Sequence, residues 1–243
     1  MARPPETVIL PARGWRIDRT KALGVSAVCW AGFLLVAWLV TTGRTGGFDK
    51  PGLLVWRTGA GLAPKGPRFL LEGVRDLTSL GGVLLRNLFA IGALVALLFL
   101  RLRREAVLLA LTVVGAWLVE GVIKGLVGRP RPEIVPHLTE AGGASFPSGH
   151  AFNSAVVYIA IALAFATLSA RESVRLTIVG TAIVVSMVVA WTRVWLGVHF
   201  PSDVLAGWLG GAGWAFLAAA LLQRPAAMAA DSDAAEKLDP TIH

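Results

Sequence analysis

The sequence predicts an all-α polytopic membrane protein with six transmembrane helices. Of its 243 residues 55% are hydrophobic and only 16% charged, with a mean hydropathy of +0.67. That balance is too apolar for water to be the main solvent of the folded chain. Six apolar stretches are long enough to approach the ~20 helical residues that cross a hydrocarbon layer roughly 30 Å thick. These stretches are continuous rather than alternating, which selects helices over barrel strands.

Span one runs from Ala22 to Val40. Basic residues precede it as in a secretory signal, but the run is longer than a usual signal core and lacks a convincing small-residue cleavage site, so it reads as a retained span. The connection from Thr41 to Thr78 is rich in Gly and Pro. It holds two short semi-apolar pieces, Leu53 to Trp56 and Phe69 to Val74, which are too short to span and read as interfacial helices or a lid. Span two covers about Ser79 to Leu100, interrupted by Arg86 and Asn87, and span three Ala106 to about Ile123. Asp76, Thr78 and Ser79 read as caps for span two, and Arg86 as a snorkelling charge. A polar, Pro-rich connection follows, in which His137 reads as a plain loop residue. Spans four to six are Ala151 to Ser169, Leu176 to Thr192 and Val204 to Leu222. The six-span domain thus occupies residues 22–223, after a cytoplasmic segment 1–21. The tail 224–243, Ala-rich and then acidic through Asp231, Asp233, Glu236 and Asp239, reads as a disordered cytoplasmic end. Tryptophans near run ends, including Trp56, Trp191 and Trp195, read as interfacial anchors.

The net charge of +8 would suggest nucleic acid on a polar chain, but here it must sit on short connections between apolar segments, which argues against that partner. Lone Cys29 excludes an intrachain disulfide, a zinc cluster and a CxxC redox pair. Basic residues divide almost evenly between the two faces. The leading segment carries Arg3, Arg13, Arg16, Arg19 and Lys21, and Arg101, Arg103 and Arg104 follow span two. These favour an N-terminus inside, with the connections after spans three and five outside. The compact form and the Ala/Gly/Arg-rich composition suggest a bacterial inner membrane, with those connections on the periplasmic face.

Those two connections carry the chemistry. Span three ends in Lys124-Gly-Leu-Val-Gly-Arg129-Pro130-Arg131-Pro132, span four opens on Pro147-Ser148-Gly149-His150, and Thr192-Arg193 leads through His199 to Asp203 at span six. Ionisable groups at a membrane boundary are costly unless paired or functional. Lys124, Arg131 and Arg193 outnumber the nearby acids Asp203 and Glu120, and Glu120 most simply pairs with Lys124 at i,i+4. The excess suits an anion with several oxygens, for which arginine offers a donor fork and lysine a point charge. Ser148 and Gly149 open span four, where unpaired N–H groups and the helix dipole favour an anion. Two histidines beside such a pocket suggest divided labour. His199 is the better nucleophile candidate, since Asp203 four residues on can hold one ring nitrogen protonated and turn the other toward phosphorus. His150 would then be the general acid. The cations would stabilise the equatorial oxygens, so this scheme needs no metal and no cofactor, and Asp203 with Glu120 is too small a set for a two-metal site.

At these residues the sequence resembles the type 2 phosphatidic acid phosphatase (PAP2) superfamily, whose signature is KxxxxxxRP, PSGH and SRxxxxxHxxxD. Lys124, Arg131 and Pro132 meet the first part, and Pro147 to His150 the second. Arg193, His199 and Asp203 meet the third, with Thr192 replacing serine while keeping its hydroxyl. The resemblance implies a six-helix bundle core, metal-independent catalysis and a phosphohistidine on His199. It also implies that Asp203 orients that ring, that His150 protonates the leaving group, and that Lys124, Arg131, Ser148, Gly149 and Arg193 hold the phosphate.

The expected function is hydrolysis of a terminal phosphate from a lipid phosphate or diphosphate at the external leaflet. Undecaprenyl diphosphate, phosphatidylglycerol phosphate and phosphatidic acid are the candidates. A phosphotransferase of the same superfamily is an alternative, and so is an anion transporter. A vanadium-dependent haloperoxidase shares the signature, but six spans argue against that soluble class. Membrane lipids are the expected surroundings, and the sequence specifies no oligomeric state.

Overall fold

A computed structural model describes residues 17–222, so the segment 1–16 and the tail 224–243 lie outside the described residues. Among the described residues there are eight helices: α1 (Arg19–Thr41), α2 (Gly46–Leu54), α3 (Arg68–Ser79), α4 (Val83–Phe99), α5 (Arg103–Val127), α6 (Gly149–Ala166), α7 (Glu172–Trp195) and α8 (Pro201–Leu222). One two-residue hairpin, β1 (Arg57–Thr58) against β2 (Ala63–Pro64), pairs antiparallel between α2 and α3.

Five helices, α1, α5, α6, α7 and α8, are each long and apolar enough to cross a membrane. The sixth crossing differs from its expected form. Helix α4 has 17 residues, about 25 Å at 1.5 Å per residue. It passes as a span only together with α3, to which it is joined through a 47° bend. The break falls at Leu80-Gly81-Gly82, where two glycines make a continuous helix costly. Gly82, not a side chain from Asp76, Thr78 or Ser79, occupies the N-cap of α4, and no side chain caps it. Those three residues close α3 instead, with Ser79 Oγ donating to the Asp76 carbonyl at 2.5 Å.

Helix α6 is the hub, its residues from Ala151 to Val157 almost wholly buried. It packs against α8, α7, α5 and α4, while α1 lies along α8. Small residues permit the close approach. A Cβ at Gly211 would lie 2.1 Å from the Phe152 carbonyl oxygen, and Ser26 Oγ of α1 donates to the Gly213 carbonyl at 2.8 Å. Large apolar side chains such as Val28, Leu35, Leu84, Phe99, Leu118 and Leu126 face outward, as lipid-facing positions do. Trp195 is not an interfacial anchor: at 2% exposure it is core, packed with Val74, Leu196 and Val198. The antiparallel course of the spans brings the ends of α3, α5 and α7 and the starts of α4, α6 and α8 to one end of the bundle.

Candidate active site

Lys124 stands one turn before the end of α5, which stops at Gly128 in the left-handed region (φ 58°), whose N–H donates to the Lys124 carbonyl. Lys124 Nζ pairs with Glu120 Oε1 at 2.7 Å, as their spacing predicts. Pro130 and Pro132 prevent a new helix, and the chain runs irregularly to Ser148. Arg131 staples this loop, donating through Nε to the Gly143 carbonyl at 3.1 Å and through Nη2 to the Gly142 carbonyl at 2.7 Å. Its Nη1 reaches the Val198 carbonyl at 2.8 Å and His199 Nε2 at 3.1 Å.

Helix α6 starts at Gly149 with Ser148 as N-cap, and the Ser148 Oγ makes no capping bond. That hydroxyl is buried and unpartnered, so it remains available to a ligand, as an orphaned buried donor should. The Ser148 N–H donates to the Asp203 carbonyl at 3.0 Å, tying the start of α6 to the start of α8. Gly149 is needed for room: a Cβ there would lie 2.8 Å from Glu120 Oε1 and 3.2 Å from Lys124 Nζ. His150, Lys124 and Gly149 line a cavity of about 340 Å³ with Arg86, Glu120 and Asn153. Arg86 therefore does not snorkel; it is 5% exposed and faces inward.

Arg193, in the last turn of α7, is 4% exposed. Its Nη1 donates to Thr78 Oγ1 at 2.9 Å, while Nε has no partner. The chain then turns at Gly197, φ 78°, where a Cβ would lie 2.6 Å from Arg57 Nη2. Arg57 is itself buried and donates to the Trp195 carbonyl at 2.8 Å, so this turn is packed from the hairpin side.

His199 lies in the turn, two residues before α8, so Asp203 reaches it across the helix start rather than along one helical face. Nδ1 is 3.6 Å from Asp203 Oδ2 and 3.4 Å from Ser145 Oγ. Ser145 Oγ also donates to Asp203 Oδ2, and the Phe200 N–H donates to the same oxygen at 2.9 Å. With Nδ1 turned to this acceptor cluster, Nε2 is left to face Arg131. Burial pushes the His199 pKa down to about 4 against the pull of Asp203, so the ring is neutral near pH 7 and its Nε2 lone pair accepts from Arg131 Nη1.

Sequence reading missed three members of this array. Arg129 Nη1 pairs with Asp203 Oδ1 at 2.6 Å and its Nη2 with Asp49 Oδ2 at 2.7 Å. Asp49 also accepts from the Ser202 N–H at 3.0 Å and from Ser202 Oγ at 2.8 Å. Ser145 is the third. Arg129 was visible as the first arginine of an Arg-Pro-Arg-Pro run, and Asp49 as an acid in an otherwise Gly-rich connection. Neither had a partner nearby in sequence.

The predicted residues thus meet in two linked groups: Arg131, His199 and Asp203 in one array, its histidine and carboxylate bridged by Ser145, and Lys124, Gly149 and His150 around the cavity. Ser148 joins them through its backbone, and Arg193 approaches from the end of α7. Such an array can bind a phosphate, offer it a neutral imidazole and neutralise charge on its oxygens.

The PAP2 superfamily model matches residues 105–226. Phosphatidylglycerophosphatase B of Bacillus subtilis is 35% identical over 145 residues, covering 57% of this chain and 68% of that protein. Lipid A 1-phosphatase of Rhizobium etli is 34% identical over 120 residues, covering 46% of this chain and 47% of that protein, so the chain spans about half its length. Undecaprenyl-diphosphatase of Sulfolobus acidocaldarius is 31% identical over 129 residues, covering 50% of this chain and 57% of that protein. Among solved structures, the crystal structure of a transmembrane PAP2 type phosphatidylglycerolphosphate phosphatase from Bacillus subtilis superposes with a TM-score of 0.71 at 27% identity, covering 79% of this chain and 93% of that one.

Proposed function

The chain belongs to the PAP2 superfamily, and from that premise we propose how this multi-pass membrane lipid phosphatase works: it removes the terminal phosphate of a lipid phosphate or diphosphate by way of a phosphohistidine on His199. The observation that carries the reading is the disposition of the His199 ring, Nδ1 toward Asp203 and Ser145 and Nε2 toward Arg131.

In the first step the His199 Nε2 lone pair attacks phosphorus and an N–P bond forms. The P–O bond to the leaving group breaks, and its electron pair stays on the leaving oxygen, which takes the proton that His150 carries once the bound phosphate has offset the charges of Arg193, Arg86 and Lys124 around it. Asp203 holds the His199 Nδ1 proton and offsets the positive charge that the ring acquires. In the second step water attacks phosphorus, gives a proton to the now neutral His150, and the N–P bond breaks. Lys124, Arg131 and Arg193, with Ser148 Oγ and the first-turn N–H groups at Gly149, hold the phosphate oxygens and the charge that develops on them.

Charge balance in this scheme comes from the chain's own cations, without a metal ion. The substrate is a phosphorylated lipid such as phosphatidylglycerol phosphate, undecaprenyl diphosphate or phosphatidic acid, and the names of the similar proteins support that class. The distribution of basic residues supports an N-terminus inside and a site on the periplasmic face of an inner membrane.

The test is phosphate release from a panel of these lipids in detergent with EDTA present. Release by the wild type and its loss in His199→Ala are expected. A requirement for added divalent metal with every lipid, or retained activity in His199→Ala, overturns the scheme.

A further inference from the structure

Arg86 has no role in the chemistry above, yet it is a buried cation with too few partners. It lies in the first turn of α4 and is 5% exposed. Its Nη1 makes one long bond, 3.3 Å to the Gly81 carbonyl, and its Nε makes none. The carboxylate that shares its cavity, Glu120, acts on it electrostatically but makes its 2.7 Å ion pair with Lys124, so two cations share one acid. A buried guanidinium short of a counter-ion is costly, above all within a membrane-spanning bundle. A site that keeps one is complementary to an anion that the chain does not supply. Asn153 adds to this: its Nδ2 donates to the Gly149 carbonyl at 3.1 Å, while its buried Oδ1 has no partner. The cavity therefore offers a cation and a hydrogen-bond acceptor together, a combination that a partly protonated phosphate or a hydroxyl-bearing anion can satisfy.

The position of this pair decides which part of a substrate meets it. His150 gives its proton to the leaving oxygen, and His150, Arg86 and Asn153 line one cavity. In the mechanism above the leaving group therefore departs on that side, and His199 and Arg131, which do not line this cavity, engage the phosphorus from the other.

We infer that Arg86 is a specificity-determining residue that binds an anionic oxygen of the leaving group, so that the enzyme prefers lipids whose leaving group is itself charged. A lipid diphosphate meets this requirement. Its bridging P–O bond breaks, the electron pair remains on the bridging oxygen, and the departing lipid monophosphate takes the His150 proton while Arg86 holds its other oxygens. A phosphate ester whose glycerol carries a second phosphodiester also meets it. A lipid monophosphate that leaves as a neutral alcohol gains nothing from Arg86. The inference rests on the assignment of His150 as general acid, and so on the mechanism above.

The experiment compares kcat/KM for the diphosphate and the monophosphate of one short-chain prenol, in detergent with EDTA. The wild type is expected to favour the diphosphate by at least about 10-fold, and parity overturns the inference. In Arg86→Gln that ratio collapses, with the diphosphate losing roughly 10- to 100-fold and the monophosphate little, the scale of a lost charge-assisted contact. Equal losses on both substrates, or no loss on the diphosphate, also overturn it. Arg86→Lys keeps the buried charge without the planar fork, and an intermediate ratio is expected. It carries the comparison if the glutamine variant does not fold. His199→Ala is assayed alongside: retained activity there sinks the phosphohistidine mechanism, whereas a ratio unchanged in the Arg86 variants sinks only the specificity assignment.

Discussion

Arg129 Nη1 lies 2.6 Å from Asp203 Oδ1, so the carboxylate that faces His199 with one oxygen is gripped through the other by a cation outside the family signature. The same guanidinium holds Asp49 at 2.7 Å. Asp203 and Asp49 are 0% and 2% exposed, and removing their shared cation leaves two buried acids uncompensated. Arg129→Ala is expected to cost about 3–5 kcal/mol of stability and to lower kcat. Asp49→Asn added to it is expected to restore part of the stability but not the activity. Thermal melts in detergent and a double-mutant cycle measure the coupling, and additive effects within about 0.5 kcal/mol would dismiss it.

Asp203→Asn keeps the shape but cannot stabilise a charged ring. The expected loss is in kcat, roughly 10³- to 10⁴-fold by analogy with the Asp-to-Asn change in a His-Asp pair, with KM nearly unchanged. Ser145→Ala, which removes one donor from the same oxygen, is expected to cost about 10-fold. Single-turnover phosphate release reads both, and an Asp203→Asn enzyme within a few-fold of wild type would remove Asp203 from the mechanism.

Two glycine substitutions separate site from scaffold. Gly149→Ala places a methyl against Glu120 Oε1 and Lys124 Nζ, flexible side-chain ends that can shift, so the melt should hold while KM rises about 10-fold through displaced Lys124. Gly211→Ala meets the Phe152 backbone, which cannot yield as easily. It is expected to destabilise by about 1–3 kcal/mol or more, with KM of the surviving fraction unchanged. The reverse assignment of effects would refute the argument from crowding.

Folded His199 takes up its proton only near pH 4, against an ordinary value of 6.5. Between those values the unfolded state binds more protons, so stability rises with pH there. The contribution is complete above about pH 6.5 and is lost as pH falls toward 4. A melting series from pH 7.5 to 4.5 should decline less steeply for His199→Gln than for wild type, and parallel curves would show that burial does not depress this ring.

What was legible in the sequence was whatever is local or charged in an apolar setting. Apolar runs located the spans to within a few residues because burial in lipid leaves little choice, and Lys124, His150, His199 and Asp203 stood out because ionisable groups at span ends need a reason. The Glu120–Lys124 pair followed from one helical turn. Arg129, Asp49 and Ser145 were illegible because their partners lie 54 to 80 residues away or more, beyond any helical or strand period. Arg86 was misread for a related reason: a charge near a span end looks the same whether it faces lipid headgroups or a cavity. What separates the two is its 5% exposure and its place in the cavity lining, neither of which hydropathy encodes.

The contacts of Asp49 have a consequence for biogenesis. Its carboxylate leaves the ribosome 80 residues before Arg129 and 153 before Ser202, and chains assemble from the N-terminus as they are made. A half-inserted protein can form the Asp49–Arg129 pair once α5 has arrived, but the Ser202 and Asp203 ends of that array come only with the last span. On the mechanism proposed, lipid phosphate hydrolysis is thus withheld until α8 is in the bilayer, and a chain truncated before α8 would hold Arg129 in a one-to-one pair with Asp49, without the second acid and the Ser202 donors that complete the array.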